Sequence, residues 1–247
     1  MPAPADELRL TALDRVEARL APAPATFSDA ERAAIDAHFA ARQAANPALW
    51  NGRVLLLAGH RFEGRTLTAR YAESDYASLL WLLARDGAHP RLRASFAMGA
   101  LRGADGGFVM IRMAGWTANA GRVYFAAGTP DLTDVTTEGQ VDLEGSVLRE
   151  IEEETGLVAA DLTLASGWTA IHDRRRVALL RQIRAREDAA ALAARIRRFA
   201  AGEARPEIDE VLVVRGPQDL HAAMPPTVRL FLAHAWQQGW GPATRGP

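Results

Sequence analysis

The stretch REIEEETGL, from Arg149 to Leu157, places four glutamates in the five positions 150–154 and then reaches a glycine. Residues three and four apart share one face of an α-helix, so Glu150, Glu153 and Glu154 form one acidic face. Each like-charged pair disfavours the helix by about 0.2–0.5 kcal/mol, and the negative end of the helix dipole adds to this cost. The face is therefore either a solvated acidic surface or a binding site for cations. Hard divalent cations such as Mg2+ prefer carboxylate oxygens.

The sequence around this stretch predicts a helix over 143–155 that follows a polar loop running from Gly128 to about Asp142. Gly156 suits the left-handed position after a helix end, and Leu157 supplies the apolar contact that accompanies such an end. The predicted order is therefore loop, acidic helix and glycine stop.

This arrangement resembles the second half of the signature of the Nudix hydrolase family, which is Arg-Glu-aliphatic-any-Glu-Glu-any-Gly-aliphatic. The resemblance implies an α/β fold: a Nudix α/β/α sandwich with a mixed sheet over 93–238. It is preceded by an N-terminal α+β extension over 1–92 and followed by a tail over 239–247. Every defined position of the half-signature is met, by Arg149, Glu150, Ile151, Glu153, Glu154, Gly156 and Leu157.

The first half of the signature departs from the family pattern. Counting back from Arg149 puts Val141 where a glutamate belongs and Val135 where a glycine belongs. The nearest suitable glycine is Gly128, so the loop is longer than the family's by about seven residues. The missing glutamate braces the signature arginine in the family. Asp142 and Glu144 are both candidates for that role.

The resemblance implies hydrolysis of a nucleoside diphosphate linked to another group, with Mg2+ or Mn2+ as cofactor. It implies Glu150, Glu153 and Glu154 as metal ligands, the backbone carbonyl near Gly128 as a further ligand, and Arg149 as the residue that orients the carboxylates. A further acidic residue often comes from a later loop, and Glu207 is the candidate, with Asp209 and Glu210 as rivals. The alternative for 205–210 is an ordinary solvated loop. The candidate catalytic residues are thus Arg149, Glu153, Glu154 and Glu207.

Several segments narrow the resemblance to the Nudix subgroup that hydrolyses UDP-glucose and UDP-galactose to UMP and a sugar 1-phosphate. They are Leu49-Trp50-Asn51-Gly52-Arg53-Val54, Ile111-Arg112, Gly128-Thr129-Pro130-Asp131 and Ser146 to Ile151. That subgroup also has an N-terminal extension and an enlarged loop. A coenzyme A or ADP-ribose diphosphatase is the alternative within the family. A non-catalytic Nudix regulator that only binds nucleotides is the alternative from another class.

Four residues outside the helix are candidates for substrate binding. Arg112 belongs to the subgroup resemblance. Trp116 and Tyr124 suit stacking on a nucleobase, although aromatic residues in strands and loops more often serve packing. His172 precedes Asp173 and three arginines, where it suits phosphate binding or proton transfer near neutral pH, against the alternative of a solvated hairpin tip.

Composition limits the class of protein. The chain has 247 residues, 49% of them hydrophobic, and a formal net charge of -1, so no basic excess indicates a nucleic-acid partner. It has no cysteine, which excludes disulfides and thiolate metal sites. The N-terminus lacks a signal-peptide pattern, and no apolar run reaches the length of a membrane helix, so a cytoplasmic protein without a membrane partner is expected. Nudix enzymes are often homodimers, and the sequence leaves dimer and monomer open.

The remaining patterns predict an alternation of helices and strands. In the extension, the spacing of apolar residues between Leu8 and Leu20 predicts a short helix. Ser28, with Glu31 three positions on, predicts a capped helix to about Ala45. The other predicted helices are 76–85, 187–201 and 227–238, and the predicted strands are 53–58, 65–71, 95–101, 108–112, 123–126, 162–171, 177–184 and 211–214.

Overall fold

A computed structural model describes residues 7–241. Within them the chain forms a large mixed sheet, a small three-stranded sheet and five α-helices, which confirms the predicted α/β class. The helices are α1 (Asp29–Ala45), α2 (Tyr76–Ala84), α3 (Leu143–Thr155), α4 (Ala189–Gly202) and α5 (Pro226–Gln237). The strands are β1 (Arg9–Leu13), β2 (Arg15–Leu20), β3 (Arg53–Glu63), β4 (Thr66–Asp75), β5 (Ala94–Arg102), β6 (Phe108–Met113), β7 (Val123–Tyr124), β8 (Ala127–Gly128), β9 (Leu162–Leu164), β10 (Trp168–His172), β11 (Arg176–Ala185) and β12 (Ile208–Val214).

The chain divides into two compact units, each built from several segments. The first contains the described residues up to Ala97, together with Thr129–Ser146 and Ala170–Leu179. The second contains Met98–Gly128, Val147–Thr169 and the described residues from Leu180 onward. The expected boundaries at 92 and 238 stay a prediction.

The first unit contains the small sheet, in the order β2-β4-β3. Strands β3 and β4, which contain the predicted strands 53–58 and 65–71, form a hairpin, and Gly64 supplies the positive φ of 55° that its turn requires. The helix predicted between Leu8 and Leu20 is wrong, because β1 and β2 occupy that segment. Strand β2 pairs in parallel with β4, from Arg15 opposite Thr66 onward, so a partner distant in sequence decides its conformation.

Helices α1 and α2 of the first unit begin where local chemistry predicts. The Ser28 hydroxyl accepts the Glu31 N–H, and the Glu31 carboxylate accepts the Ser28 N–H at 2.8 Å, which completes the predicted capping box. Asp75 caps α2 by accepting the Ser78 N–H at 2.8 Å. One face of α2 packs on β3 through buried side chains that include Leu56, Leu79, Leu82 and Leu92.

In the second unit, β6 lies between β5 and β12 and also pairs with the short strand β7. Helix α4, capped by Asp188, packs on β6 and β12. Three buried rings, Phe108, Phe125 and Phe231, meet edge-to-face at centroid distances of 5.6–6.0 Å. This aromatic contact fixes α5 against the sheet of the second unit.

Other predicted elements differ from the structure in detail. The strand predicted over 162–171 is two strands, β9 and β10, separated by a turn in which Gly167 has a positive φ of 74°. The start of the expected tail is attached, because the Trp240 N–H donates to the Ala235 carbonyl at 2.8 Å. Residues 242–247 of that tail lie outside the described residues. Among the helices described, none is both long and apolar enough to span a membrane.

Candidate active site

Helix α3 is held close to strand β5, which fixes the direction of its polar face. Ile151 is fully buried, and a side chain at Gly99 of β5 would overlap it. The Gly99 N–H also donates to the Ala126 carbonyl at 3.0 Å, just before β8 begins. Glycine at position 99 therefore lets α3 approach the sheet closely.

The end of α3 has the predicted glycine stop. Gly156 has a φ of +70°, and its N–H donates to the Glu152 carbonyl at 2.8 Å. A side chain at this position would overlap the Phe199 ring of α4. Leu157 is buried, as the apolar contact after such a stop requires.

Glu150 lies against the backbone of β8. A Cβ atom added to Gly128 would overlap the Glu150 carboxylate. Arg149 holds the same group from another side, because its Nη1 lies 2.9 Å from the Glu150 Oε1 and 3.3 Å from the Glu153 Oε2. Arg149 thus joins two of the predicted ligands, which is the contact that its predicted orienting role requires.

Glu154 is buried at 8% exposure, and its Oε2 accepts the Ala127 N–H at 3.2 Å. The pKa of this carboxyl is raised well above its usual value, first by burial and next by the charge of Glu150. The Ala127 hydrogen bond acts in the opposite direction, and the charges of Glu207 and Glu153 raise the pKa further. The three helix glutamates and Glu207 therefore lie within electrostatic reach of one another.

Glu207 is fixed through its backbone while its side chain is exposed. Its carbonyl accepts the Ala114 N–H at 2.8 Å, just beyond the end of β6. Partial loss of hydration, followed by the charges of Glu153 and Glu203, raises the pKa of the Glu207 carboxyl. Of the two predicted rivals, Glu210 is paired with Arg112 at 2.6 Å, and Asp209 is exposed.

Arg112 also contacts His221, which was not among the predicted site residues. Its Nη2 lies 3.3 Å from the Nε2 of His221, and the His221 Nδ1 accepts the Ala223 N–H at 3.0 Å. Among residues 7–241, the buried Nε of Arg112 has no hydrogen-bond partner. No local pattern links positions 112 and 221, so spacing along the chain could not have found this contact.

The two aromatic candidates have different surroundings. Tyr124 is buried at 8% exposure in β7, opposite Ile111, which agrees with the packing alternative. The Trp116 indole N–H donates to the Pro206 carbonyl at 3.0 Å, and the Arg205 guanidinium lies 4.1 Å from the indole centroid. Trp116 thus contacts the segment that precedes Glu207.

His172 belongs to the first unit, whereas the helix glutamates belong to the second. Its ring stacks on Phe62 with centroids 4.5 Å apart, and its Nε2 lies 3.2 Å from the Thr11 hydroxyl. Burial, and then the charge of Arg9, lower its pKa, while Asp173 acts in the opposite direction. The structure does not bring His172 into the same unit as the other candidates.

Position 141, where the family has a glutamate, is part of the first unit's interior. Val141 is buried, bridges to Val135, and donates its N–H to the Ala18 carbonyl at 3.0 Å. Asp142, one candidate for the missing brace, accepts the Gly145 N–H at 2.9 Å and thereby caps the start of α3. The bracing role expected of Asp142 or Glu144 stays a prediction.

The carboxylates at the end of α3 are close enough to interact electrostatically, but their oxygens do not surround a single metal position. Within residues 7–241, the structure contains no group of three or more histidine, aspartate or glutamate side chains in metal-binding geometry. Glu153 points to Arg149 and Glu154 to the Ala127 N–H. Side-chain rotation would be needed before these groups could share one cation.

Comparison with known proteins gives no assignment by sequence. No family model matches the chain, and no curated protein matches it. Among solved structures, the chain is similar to a Nudix hydrolase from M. smegmatis, RenU, with 19% identity over 59% of this chain and 83% of that one, and a TM-score of 0.37. It is similar to a MutT protein from Methanosarcina mazei Go1, with 16% identity over 60% of this chain and 95% of that one, and a TM-score of 0.39.

A third similar structure is the Nudix domain of Shewanella oneidensis NrtR, complexed with ADP ribose. It has 12% identity over 64% of this chain and 96% of that one, and a TM-score of 0.37. These identities and TM-scores are too low to assign the family of this chain.

Proposed function

We propose that the protein is a Nudix hydrolase that cleaves the diphosphate of a nucleoside diphosphate linked to a second group. The observation that carries this proposal is the nearly buried Glu154, surrounded by the charges of Glu150, Glu153 and Glu207. Packing like charges around a buried carboxylate is unfavourable unless a cation joins them. Glu150, Glu153 and Glu154 are also the glutamates that meet the half-signature at the end of α3.

The donor set fits a hard divalent cation. Glu150, Glu153 and Glu154 would hold Mg2+ or Mn2+, together with the carbonyl of Gly128, whose missing side chain lets β8 lie against Glu150. When bound, such a cation offsets the charge of a diphosphate and promotes the ionisation of water. The negative charge of Glu154, which is unfavourable in the free protein, becomes favourable beside the bound cation.

The protein's own groups have distinct roles in this proposal. Arg149 keeps Glu150 and Glu153 oriented through its two ion pairs. Glu207, which interacts electrostatically with Glu153, would take a proton from the attacking water. Glu154 remains anionic as a ligand.

The substrate class that we propose is a UDP-sugar, which would yield UMP and a sugar 1-phosphate. Support comes from the segments that resemble the UDP-sugar subgroup and from the lengthened loop after Gly128. We assign Arg112 to substrate binding, because its side chain is one-third exposed and it lies in a segment that resembles the UDP-sugar subgroup. The expected homodimer stays a prediction that sedimentation of the purified chain would test.

The experiment is a substrate panel with Mg2+: UDP-glucose, UDP-galactose, ADP-ribose, coenzyme A and nucleoside triphosphates. A coupled phosphatase detects cleavage of the sugar nucleotides, because it releases phosphate from the monoester products and not from the intact diphosphate. Chromatography of the products is used for coenzyme A and the triphosphates, which the phosphatase attacks directly.

Turnover of UDP-sugars alone supports the full proposal. Turnover of ADP-ribose or coenzyme A instead keeps the hydrolase and overturns the UDP-sugar assignment. Nucleotide binding without turnover of any compound would contradict an enzyme and favour a nucleotide-binding regulator.

A further inference from the structure

The loop after β6 holds three successive residues of the segment before β12. The Trp116 indole N–H donates to the Pro206 carbonyl at 3.0 Å, and the Arg205 guanidinium lies over the indole at 4.1 Å. Ala114, two residues before Trp116, donates its N–H to the Glu207 carbonyl at 2.8 Å. A cation over an indole face adds about 0.5–1 kcal/mol at exposed sites, so these contacts are attractive as well as close.

The loop that presents Trp116 is itself a tight turn. Both the backbone N–H and the hydroxyl of Thr117 donate to the Ala114 carbonyl at 3.0 Å. The ladder between β6 and β12 begins next to it, where Met113 lies opposite Ile208. The ladder fixes the chain as far as Ile208, and the Trp116 contacts extend this fixation through Arg205.

The position of the Glu207 side chain matters because its charge acts on the carboxylates at the end of α3. Glu207 interacts electrostatically with Glu153 and Glu154 of that helix. Its side chain is exposed, so nothing else that the structure describes confines it as closely as the backbone contacts do. Movement of the 205–207 segment would change the distance between Glu207 and the helix carboxylates.

We propose that Trp116 is a positioning residue, which fixes Glu207 for hydrolysis through its bond to Pro206 and its contact with Arg205. This inference rests on the proposed function and deepens it. It replaces the expectation that Trp116 stacks on the nucleobase, since the indole N–H and one ring face are already engaged by residues 205 and 206.

The test compares Trp116→Phe, which keeps a ring for Arg205 but loses the N–H, with Trp116→Leu, which loses both contacts. A small misplacement of a reacting group can lower a rate about 100-fold, so kcat should fall about tenfold for Phe and about 100-fold for Leu. KM should change less than about threefold. Gly115→Ala, which adds a methyl group to the same loop at a point where no other atom lies within 4 Å, is the control and should leave kcat unchanged.

A double-mutant cycle separates positioning from a general structural role. In a Glu207→Gln background, Trp116→Leu should lower kcat less than twofold further, because the group that it positions is already absent. An equal loss of kcat in both backgrounds would overturn the proposal. A rise in KM with kcat retained would also overturn it and restore nucleobase stacking.

Hydrogen exchange tests the same contact without activity. The Ala114 amide, which donates to Glu207, should exchange at least about tenfold faster in Trp116→Leu than in the wild type if the indole fixes this segment. Unchanged exchange would overturn the inference whatever the substrate is. Failure of the proposed function would appear differently, as absence of hydrolysis by the wild type or as full activity of Glu154→Gln.

Discussion

At the scale of the residue, helical spacing predicts which glutamates share a face, and the structure adds which one is buried. Glu150, Glu153 and Glu154 could be grouped from sequence because i, i+3 and i+4 geometry is local. The burial of Glu154 depends on β8, whose Ala127 N–H reaches it from 27 positions away. Contacts of this range leave no periodic pattern in the sequence.

Gly128→Ala tests the close approach of β8 to the helix. The new Cβ would overlap the Glu150 carboxylate and displace a proposed metal ligand. We expect kcat to fall at least about tenfold, because misplaced reacting groups slow catalysis steeply. Gly115→Ala is the matched control, since a Cβ there meets no atom within 4 Å. Equal activity of the two variants in a steady-state assay would contradict this account of Gly128.

The buried side chain of His89 makes the free energy of unfolding depend on pH. Its side chain is buried, its Nδ1 accepts the Leu92 N–H at 2.9 Å, and its Nε2 lies 3.1 Å from Glu31. Burial lowers the pKa of His89 below 6.5, and Arg85 and Arg91 lower it further although Glu31 opposes them. Because the pKa of His89 is lower in the folded state than in the unfolded state, neutral His89 stabilises the fold above about pH 6.5. This contribution is lost as the pH falls below that value.

The measurement is urea unfolding of the wild type and His89→Gln at pH 7.5 and pH 5.5. Burial also lowers the pKa of His38, His60 and His172, so the comparison is between the changes in the free energy of unfolding of the two proteins. The wild type should lose more stability on acidification than the variant does. Equal losses of stability in the two proteins would show that His89 does not cause the pH dependence.

At the scale of the element, local signals predicted helices better than they predicted the first strands. The capping box of Ser28 and Glu31 and the stop at Gly156 involve residues close in sequence, and both are confirmed. The segment from Leu8 to Leu20 has no cap, and its conformation is decided by pairing of β2 with β4 some 50 residues later. Such pairing overrides weak helical spacing.

The end of α3 can be tested by removing the freedom of its glycine. In Gly156→Ala, a non-glycine residue at a φ of +70° costs about 1–2 kcal/mol, and overlap with the Phe199 ring adds to this. Gly202→Ala is the matched variant, because Gly202 ends α4 without a positive φ or a neighbour within 4 Å. The free energy of unfolding of Gly202→Ala should rise by up to about 1 kcal/mol. Denaturant unfolding measures whether stability falls in Gly156→Ala and rises in Gly202→Ala. A Gly156→Ala protein as stable as the wild type would contradict the role of Gly156 at the end of α3.

At the scale of the whole molecule, the lengthened loop belongs to the first unit and not to the segment that follows it. The Leu55 N–H donates to the Pro130 carbonyl at 2.7 Å, and the Leu20 N–H donates to the Gly139 carbonyl at 2.9 Å. The loop therefore completes the hydrogen bonding of β2 and β3. The sequence predicted the extra length but not this use of it, since backbone hydrogen bonds to distant strands depend little on side-chain identity.

We propose that the carboxylates of α3 hold a divalent cation for hydrolysis of a diphosphate, and Glu154→Gln removes the buried one of these carboxylates. Glu152→Gln is the matched control, because Glu152 is an exposed glutamate of the same helix. Turnover of the best substrate in the panel and the thermal unfolding midpoint, with and without Mg2+, are measured for both variants and the wild type.

We expect Glu154→Gln to lose at least about 100-fold in kcat, because even residues that only support a metal site can change activity by that much. Without metal it should be at least as stable as the wild type, because the substitution removes a buried charge repelled by its neighbours. Mg2+ should raise the unfolding midpoint of the wild type and of Glu152→Gln, but not that of Glu154→Gln. A Glu154→Gln protein that keeps most of its turnover and its response to Mg2+ would contradict the claim.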